Sequence, residues 1–426
     1  MESIKIGLLG LGTVGTGVYR LLEKQAEEIK HKAGVNTVID KVLVRNISKT
    51  RTGIPTEIIT DNPDDILNNP DIKIVVEVMG GMEPAYEYIK SALMSGKNVV
   101  TANKDLMAVK GGELMELAAQ NGCDLLFEAA VAGGIPIIRP LKQCLAGNNI
   151  TEIMGIVNGT TNFILTKMTN DGMEFEDALK MAQELGYAEA DPTADVEGLD
   201  AGRKIAIMAS IAFNSRVTFD DVDIEGITKI TAKDICYAKE MGCDIKLLGI
   251  TANTDDGIEV SVHPMLIPST HPLASVNDVF NAVFVHGDAV DDAMFMGRGA
   301  GMYPTASAVV GDIIDISRNI VFNCCGRIGC TCYKQLKIKK PEDCVSKYFL
   351  RMQVEDRAGV LAGVAGVFGS NNVSISRLIQ KASDDNTAEI VVITDEVRAG
   401  NFKDSIAILN GMSMIKKISS VIRVYG

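Results

Sequence analysis

A group of carboxylates that ends in one lysine has the residue types needed to move a proton. Residues 186–204 contain five carboxylates and end in Lys204, which opens an apolar run. Apolar residues of that run recur at the spacing of a buried helix face, at Ile205, Met208, Ile211 and Ala212. Lys204 lies in line with this face and Asp200 precedes it by four residues, so we expect the carboxylate to hold the amine where it can exchange protons with a substrate. The alternative interpretation is a charge pair that only supports the start of a helix.

The length and charge of the chain limit the functions it can serve. With 426 residues, 46% of them hydrophobic, the chain should form two or three domains with real cores. A formal net charge of −13 opposes nucleic acid or an anionic membrane as the main partner, because both require a positive surface. Residues 3–9 already have the pattern of a strand rather than a signal peptide, and no uninterrupted apolar run of about 18 residues occurs. We therefore expect a cytoplasmic protein that binds a small molecule.

The cysteines and histidines do not predict a metal centre. Nine cysteines in a long chain of this type favour free thiols over a disulfide framework. A metal or redox function is the less favoured interpretation of the densest group, because its spacing matches no standard zinc pattern: Cys324, Cys325, Cys330, Cys332 and Cys344. The four histidines form no constellation of metal ligands.

A glycine-rich turn near the N terminus indicates a dinucleotide-binding unit. Residues 4–9 are a continuous apolar run, typical of a buried parallel strand, and a helix is predicted from the turn to about residue 32. In a G-x-G-x-x-G turn the glycines allow the backbone to approach a pyrophosphate at the helix N terminus. The residues of this fingerprint are Gly10, Leu11, Gly12, Thr13, Val14 and Gly15. The predicted fold class is α/β, beginning with a Rossmann-type doubly wound domain.

The end of the second strand, predicted at residues 37–44, suggests which dinucleotide binds. A carboxylate at this position would accept a hydrogen bond from the ribose 2′-hydroxyl of NAD, whereas an arginine suits the 2′-phosphate of NADP. The residues present are Arg45 and Lys49, which favour NADP. Two alternatives stay open: the loop is only a solvated basic loop, or NAD is accepted as well.

Further buried strands end in residues that could meet a ligand. One apolar strand, within residues 74–81, ends in a glycine turn. Another, within residues 98–104, ends in polar residues. Because ligands of doubly wound sheets bind outside the carboxyl ends of the strands, Lys104 is a second lysine expected at the cofactor crevice. Residues 125–128 then lead into a glycine-rich turn at 129–136, whose carbonyl oxygens would be free for an ion or a ligand.

The rest of the chain predicts two more domains. From about residue 150 the pattern changes to mixed strands and helices, which indicates a second domain of the α+β type. A basic linker follows, and the last segment has the order βαββαβ of a ferredoxin-like domain. The predicted domains are 1–130, with a return helix at about 305–320, then 131–320, the linker 321–346, and 347–426.

Four motifs together resemble the homoserine dehydrogenase family over about residues 4–320. They are the glycine fingerprint at 10–15, Thr-Ala-Asn-Lys at 101–104, Asn-Gly-Thr-Thr-Asn at 158–162, and Gly-Tyr-x-Glu-x-Asp-Pro at 186–192 continued to Lys204. The segment from Tyr348 onward resembles the ACT family of amino-acid-binding regulatory domains. The resemblance implies reversible reduction of L-aspartate 4-semialdehyde to L-homoserine with NADPH or NADH, in threonine and methionine biosynthesis. It also implies feedback control through the ACT domain by an amino acid such as threonine.

The resemblance implies roles for individual residues of the catalytic part. Lys204 is implied as the proton donor, and Lys104 as a contact of the nicotinamide and an alternative proton shuttle. Glu189 would bind the ammonium group of the substrate, and Asp200 would orient both the substrate and Lys204. Further cofactor contacts are implied at Thr101, Gly186 and Gly301.

An ion, an effector and a second copy of the chain are implied in the same way. The carboxylate and three carbonyl groups of an all-oxygen site would hold a sodium ion, a hard cation, at Glu128, Val131, Gly133 and Ile135. An amino-acid effector would bind near Asp356, Gly359 and Asn372, between the ACT domains of two chains. The family pairs through its second domain, so a homodimer or a higher homo-oligomer is implied.

The sequence departs from the family at two loops. Residues 297–301 read Gly-Arg-Gly-Ala-Gly where the family has a proline in second place, and residues 356–359 read Asp-Arg-Ala-Gly where ACT domains have Asp-x-Pro-Gly. Two rival functions fit parts of the sequence: an amino-acid sensor with an inactive dehydrogenase core, and an aspartate dehydrogenase. The presence of both Lys104 and Lys204 opposes the first rival, and the combination of Glu189, Asp200 and Lys204 opposes the second.

Overall fold

The structure, a computed structural model, describes residues 3–382 and 386–426. The chain divides into two compact units. Unit 1 consists of Met1–Thr151, Ala206–Asp220 and Asn281–Gln335, and unit 2 consists of Glu152–Ile205, Asp221–Phe280 and Leu336–Gly426. None of the helices within the described ranges is both long enough and apolar enough to span a membrane.

Strands and helices are numbered in chain order. The strands are β1 (Ser3–Leu9), β2 (Asn36–Leu43), β3 (Ile59–Thr60), β4 (Ile72–Glu77), β5 (Asn98–Thr101), β6 (Leu125–Leu126), β7 (Ile150–Ile156), β8 (Asp223–Ile224), β9 (Cys243–Thr254), β10 (Gly257–Pro268), β11 (Phe280–Gly287), β12 (Asp291–Arg298), β13 (Val345–Glu355), β14 (Ile375–Ala382), β15 (Thr387–Thr394), β16 (Val397–Arg398) and β17 (Ile415–Val424). The helices are α1 (Thr13–Lys24), α2 (Ala26–Ala33), α3 (Asp64–Leu67), α4 (Ala85–Met94), α5 (Lys104–Gln120), α6 (Gly159–Asp171), α7 (Phe175–Glu184), α8 (Thr193–Val196), α9 (Leu199–Ala212), α10 (Ala232–Glu240), α11 (Met302–Val321), α12 (Val360–Ser370) and α13 (Ala399–Asn410).

Unit 1 is built on a parallel sheet with the strand order β3-β2-β1-β4-β5-β6. The strands were recognisable as apolar runs because both faces of the sheet are covered, and Ile4, Ile6 and Leu8 of β1 are fully buried. The strand order reverses direction on either side of β1, which is the doubly wound arrangement expected from the glycine fingerprint. The predicted Rossmann-type fold is confirmed.

The helices of unit 1 differ from prediction at one point. The single helix predicted to about residue 32 is wrong: the structure has α1 and α2, separated at Gln25, whose φ of −114° and ψ of 22° leave the helical range. This break lets Ile29 and Ala33 of α2 reach the same hydrophobic core as α1. The predicted helix at 305–320 is present as α11. It packs closely against α1, since a Cβ atom on Gly17 would lie 2.7 Å from the carbonyl oxygen of Met302.

Unit 2 contains a sheet with the order β7-β9-β10-β17-β13-β15-β14. β9 and β10 form a long antiparallel hairpin, and α6, α7 and α10 belong to the same part of the chain. Thr231 closes a capping box with Asp234 at the start of α10, which fixes the first turn of that helix. The βαββαβ order predicted for the C-terminal domain is confirmed, with β17-β13-β15-β14 antiparallel throughout.

The C-terminal sheet is continuous with the rest of unit 2. β17 runs parallel to β10 and pairs with it at Met265 and Leu266. A buried ion-pair network reinforces this join: the Arg351 guanidinium lies 2.8 Å from Asp234 of α10 and 3.1 Å from Glu389 of β15. The Tyr237 hydroxyl of α10 donates to the same Glu389 carboxylate at 2.6 Å. The sequence analysis did not predict this network.

Candidate active site

Lys204 and Asp200 meet as their spacing predicts. Helix α9 begins at Leu199, earlier than the apolar run, so both residues lie within it one turn apart. The Lys204 Nζ donates to Asp200 Oδ2 at 2.6 Å and to the Val157 carbonyl at 2.7 Å. Only 12% of the Lys204 side chain is exposed, so the ammonium is held largely out of bulk water. Because an ammonium group has three donors, one N–H remains for a ligand beyond these two partners.

Asn158 connects this pair to a second carboxylate. Its amide nitrogen donates to Asp200 Oδ2 at 2.9 Å and to Asp195 Oδ1 at 2.7 Å. Its amide oxygen accepts from the backbone N–H of Thr161 at 2.9 Å and so caps the N terminus of α6. The sequence analysis placed Asn158 in a family motif but gave it no role. The signal available was its position directly before a helix, which is typical of a cap and says nothing of the carboxylates.

Asp195 is held in an environment that disfavours its charge. Burial raises the pKa of Asp195, and the nearby charge of Asp200 raises it further, whereas the hydrogen bond from Asn158 and the charge of Lys204 lower it. Two carboxylates, one ammonium and one amide therefore share a confined polar site. Such a set can bind a small polar molecule and exchange a proton with it.

Glu189 and Gly186 lie on the loop between α7 and α8. Gly186 has a φ of +75° and its N–H bonds to the Gln183 carbonyl, so it ends α7 in the left-handed conformation that glycine favours. Glu189 is exposed, and its backbone carbonyl accepts from the Gln183 side chain at 3.2 Å. The loop is anchored by Tyr187, whose carbonyl accepts from the Thr160 hydroxyl at 2.7 Å. Glu189 thus presents its carboxylate to solvent from an anchored backbone.

The glycine fingerprint of unit 1 adopts the predicted strand, turn and helix. Gly10 has a φ of +103°, and a Cβ atom on Gly15 would lie 2.2 Å from the Gly10 carbonyl oxygen, so both positions require glycine. Around Gly12 there is open space, since nothing lies within 4 Å of an added Cβ. Gly12 also precedes α1 without a side-chain cap, which leaves the helix N terminus suited to an anion.

A cleft of about 430 Å³ begins at this turn, and its charged lining residues are two arginines and Asp61. Arg45 lines it, as expected, together with Arg51, which the sequence analysis missed. The Arg51 guanidinium donates to the backbone carbonyls of Lys49 at 2.8 Å and Asn46 at 2.9 Å, so it also fixes the loop. The Lys49 side chain is exposed and is not part of the cleft lining.

The carboxyl ends of β4 and β5 are joined by Glu77, which is fully buried. Its carboxylate accepts from the backbone N–H of Met79 at 2.8 Å and from the Thr101 hydroxyl at 2.6 Å. Asn103 caps α5, whose first residue is Lys104. Thr101 therefore acts here through a hydrogen bond to Glu77, while Lys104 stands at the start of a helix at the edge of the sheet where a cofactor is expected.

Glu128 is buried and already has partners. Its carboxylate accepts three backbone N–H groups, from residues 137, 138 and 139, at 2.6 to 2.8 Å. The carbonyl oxygens of Val131, Gly133 and Ile135 accept no backbone hydrogen bond from any residue in the ranges 3–382 and 386–426. No group of three or more His, Cys, Asp or Glu side chains in those ranges could hold a metal ion. Any cation here would depend on carbonyl oxygens.

The remaining residues predicted to bind the cofactor or the effector lie near two helices that each follow a glycine. Gly301, with a φ of +126°, directly precedes α11, and Gly359, with a φ of +90°, directly precedes α12. Asp356 lies just before Gly359, whereas Asn372 follows the end of α12. An 11-residue helix is roughly 16 Å long. Within one chain, Asn372 is therefore not brought together with Asp356 and Gly359.

Family models match three parts of this chain. The homoserine dehydrogenase NAD-binding domain matches residues 10–128, the homoserine dehydrogenase domain matches residues 136–314, and the ACT domain matches residues 348–411. The curated homoserine dehydrogenase of Bacillus subtilis (strain 168) is 44% identical over 429 residues, which cover 100% of this chain and 99% of that protein. The chain belongs to the homoserine dehydrogenase family.

Solved homoserine dehydrogenases have the same fold. A crystal structure from Thiobacillus denitrificans aligns with a TM-score of 0.95 and 41% identity, covering 100% of this chain and 98% of that one. A hyperthermophilic archaeal homoserine dehydrogenase in complex with NADPH aligns with a TM-score of 0.64 and 28% identity, covering 74% of this chain and 98% of that one. The chain is an oxidoreductase that interconverts L-aspartate 4-semialdehyde and L-homoserine with a nicotinamide cofactor. Both rival functions are set aside by these matches.

Proposed function

We propose that Lys204 donates the proton in this reaction and that Asp200, Asn158 and Asp195 position it. The observation that carries the proposal is the ammonium group of Lys204, which lies 2.6 Å from Asp200 and 2.7 Å from the Val157 carbonyl and keeps one donor for a ligand. The alternative, a charge pair that only supports the helix, does not explain why Asn158 links Asp200 to a second, half-buried carboxylate, Asp195.

The reaction needs a positive group at the aldehyde oxygen. The reduced nicotinamide, when bound, supplies a hydride to the aldehyde carbon. Negative charge then grows on the aldehyde oxygen, and the Lys204 ammonium stabilises that charge and gives up its proton to form the hydroxyl of homoserine. General acid catalysis of this type contributes about 10²–10⁴-fold in rate. Asp200 keeps Nζ in place through its hydrogen bond of 2.6 Å.

The amino-acid end of the substrate requires a carboxylate. Glu189 is the residue we assign to the substrate ammonium group, because its side chain is exposed on an anchored loop that precedes the Asp195 and Asp200 site in the chain. Gly186 ends the helix before that loop, so a side chain there would disturb the path of the loop. We assign the role of a nicotinamide contact to Lys104, at the N terminus of α5.

NADP is the cofactor we expect in preference to NAD. The support is the pair of arginines, Arg45 and Arg51, that line the cleft beginning at the glycine turn. An arginine fork matches a phosphate group with two parallel hydrogen bonds. The archaeal relative solved with NADPH agrees with this preference.

A sodium ion at Val131, Gly133 and Ile135 is part of the proposal. Their carbonyl oxygens suit a hard cation, and the Glu128 carboxylate, which accepts three backbone N–H groups, would add negative charge beside it. Thermal melts at equal ionic strength test this site. The wild type should have a higher Tm in sodium chloride than in N-methylglucamine chloride, whereas Glu128→Ala should have the same Tm in both salts. Equal Tm values for the wild type in both salts would contradict a sodium site.

Regulation and assembly complete the proposal. We assign three domains, 1–130, 131–320 and 347–426, with 321–346 as a linker. We also infer a homodimer or higher oligomer whose ACT domains pair to bind threonine near Asp356, Gly359 and Asn372. The placement of Asn372 at the far end of α12 supports a site shared between two chains, because one chain alone does not bring these residues together.

The proposed location is the cytoplasm. Nine free cysteines support a reducing compartment such as the cytoplasm.

Two assays test the proposal. NADPH oxidation with L-aspartate 4-semialdehyde should be fast, and oxidation with oxaloacetate plus ammonia should be absent, whereas the reverse pattern would indicate an aspartate dehydrogenase.

The second assay tests regulation. Threonine at millimolar concentration should inhibit the full chain. A variant with Asp356→Ala and Asn372→Ala should keep its activity and lose that inhibition. Activity of the full chain that stays unaffected by any aspartate-family amino acid would leave the ACT domain with a role in assembly alone.

A further inference from the structure

Two cysteines of the linker region are brought together in unit 1 with a cation beside them. Cys330 is exposed and Cys332 is half-buried, and both thiols line the same small cavity. The Arg216 guanidinium lies 3.8 Å from the Cys330 sulfur. The Cys332 thiol contacts the Ser210 carbonyl of α9 at 3.6 Å. The sequence analysis placed these cysteines in a group without a metal spacing and did not foresee the arginine.

The Arg216 guanidinium packs closely against the backbone of α5. A Cβ atom on Gly112 of α5 would lie 2.2 Å from the Arg216 guanidinium, so only glycine leaves room for this side chain there. The Lys142 ammonium, which donates to the Gly329 carbonyl at 3.2 Å, brings a second positive charge to the same small cavity. The two thiols, Arg216 and Lys142 line a cavity of about 40 Å³ together with apolar side chains of α5 and α9.

We propose that Cys330 and Cys332 form a peroxide-reactive dithiol, with Cys330 as the attacking thiolate and Cys332 as the resolving thiol. A positive group and a thiol donor next to one sulfur favour its thiolate, which is the nucleophilic form. The hydrogen bond from Cys332 and the charges of Arg216 and Lys142 lower the pKa of Cys330 to about 5, against the opposing effect of burial. The pKa of Cys332 is raised in turn by its hydrogen bond to Cys330 and by burial.

The size of the cavity favours a small oxidant. The cavity of about 40 Å³ has room for a molecule as small as hydrogen peroxide next to the two thiols. Residues two apart are separated by at most roughly 7 Å between their Cα atoms, which overlaps the range of about 4.4–6.8 Å that a disulfide spans. An intramolecular disulfide between Cys330 and Cys332 is therefore sterically feasible.

The chemistry proceeds in two balanced steps. The Cys330 thiolate attacks one oxygen of hydrogen peroxide, so an S–O bond forms, the O–O bond breaks, and hydroxide leaves and takes up a proton to become water. The Cys332 sulfur then attacks the Cys330 sulfur, so an S–S bond forms, the S–O bond breaks, and the second oxygen leaves as water with the Cys332 proton. Two thiols are oxidised by two electrons, and one peroxide is reduced to two waters.

The test uses the reduced full-length protein and limiting hydrogen peroxide. Trypsin should release residues 328–334 as one peptide that contains both thiols, and after oxidation this peptide should be lighter by two hydrogens. The variant Cys332→Ser should instead accumulate a dimedone-reactive sulfenic acid at Cys330, and Cys330→Ser should leave Cys332 unoxidised. Cys144, which is exposed and lies outside this cavity, provides the internal control and should react at least about tenfold more slowly.

The cation is tested separately. Arg216→Met should move the midpoint of Cys330 alkylation by iodoacetamide to higher pH and slow its oxidation at pH 6 by about tenfold. The inference is overturned if Cys144 is oxidised as fast as Cys330, if the disulfide joins two chains instead of residues 330 and 332, or if Arg216→Met leaves the alkylation midpoint unchanged. Unchanged dehydrogenase activity of reduced Cys330→Ser shows that the variant is folded.

Discussion

At the level of single residues, the proposed site depends on the Lys204 amine, which two hydrogen bonds hold in position. Asp200 holds Lys204 from one turn away in the same helix, and the Val157 carbonyl holds it from the end of β7. A lysine on a flexible stem would otherwise lose considerable rotamer entropy when it meets the aldehyde. In the proposed mechanism, the fixed Nζ is therefore already in position for the transition state, in which the aldehyde oxygen carries negative charge.

The cofactor preference depends on a residue that can be tested alone. Arg45→Ala should weaken NADPH binding by about 1.5–3 kcal/mol, because a charged partner of the 2′-phosphate is lost. That loss corresponds to roughly tenfold or more in affinity, and NADH binding should hardly change. Fluorescence titration of both cofactors measures the difference.

Two neighbours provide the controls for this prediction. Lys49→Ala should change neither affinity, since the Lys49 side chain is outside the cleft. Arg51→Ala should weaken both cofactors, because the Arg51 guanidinium also holds the loop through the carbonyls of Lys49 and Asn46. Equal losses of NADPH and NADH affinity in Arg45→Ala would show that Arg45 only shapes the loop.

At the level of helices and strands, the sequence predicts contacts that are local in the chain. The pairing of Asp200 with Lys204 follows from helical spacing alone, and the glycine turn follows from the alternation of strand, glycine and helix. The βαββαβ order of the last domain, which ends in β17, was predicted from the same periodicity. These features depend on residues a few positions apart.

Contacts between distant segments were not predictable in this way. Asn158 bonds to carboxylates 37 and 42 residues further along, and Arg351 bonds to Asp234, 117 residues earlier. An asparagine before a helix or an arginine in a strand has many potential partners, and only the packed structure selects one. The break at Gln25 was missed for a related reason, since neither glycine nor proline marks it in the sequence.

The join between the ACT sheet and α10 provides a prediction at this scale. Arg351→Ala should lower the free energy of unfolding by about 3–5 kcal/mol, because it leaves the buried Asp234 carboxylate without its cation and leaves Glu389 with only the exposed Lys233. Denaturant titration followed by circular dichroism measures the loss. Arg357→Ala is the matched control, since the exposed pair of Arg357 with Glu355 should contribute at most about 1 kcal/mol. Similar losses in both variants would mean that the buried network does not stabilise the join.

At the level of the whole molecule, stability should depend on pH through a buried histidine. His263 of β10 is 3% exposed, and its Nε2 lies 3.0 Å from Asp223, which also pairs with Arg423 of β17. Burial lowers the pKa of His263 to about 4, and the charge of Arg423 lowers it as well, whereas Asp223 raises it. The unfolded chain has a histidine pKa of about 6.5, so the unfolded state binds more protons between these values.

The sign of the effect follows from that difference. The stability contributed by neutral His263 is complete above about pH 6.5 and is lost as the pH falls towards 4, by roughly 3 kcal/mol in all. Asp312 acts in the opposite direction, because burial raises its pKa to about 7 and its contribution is lost as the pH rises. The pH profile of the wild type alone therefore does not isolate either residue.

A difference between variants isolates the histidine. The destabilisation caused by His263→Gln should be largest at pH 7.5 and should shrink as the pH falls to 4.5, since the variant has no imidazole to protonate. His31→Gln, at an exposed position of α2, is the control and should cause only a small destabilisation. A constant difference for His263→Gln across this range would rule out the proposed titration.

The most direct test of the role of Lys204 compares kcat for semialdehyde reduction in Lys204→Ala, Lys104→Ala and Lys180→Ala, the last at an exposed site on α7. Lys204→Ala should lose about 10²–10⁴-fold in kcat, the range of a general acid, with NADPH affinity within about twofold of the wild type. Lys180→Ala should be unaffected. If Lys204→Ala kept more than about a tenth of the wild-type kcat while Lys104→Ala lost it, the proton would come from Lys104, and the proposed role of Lys204 would be wrong.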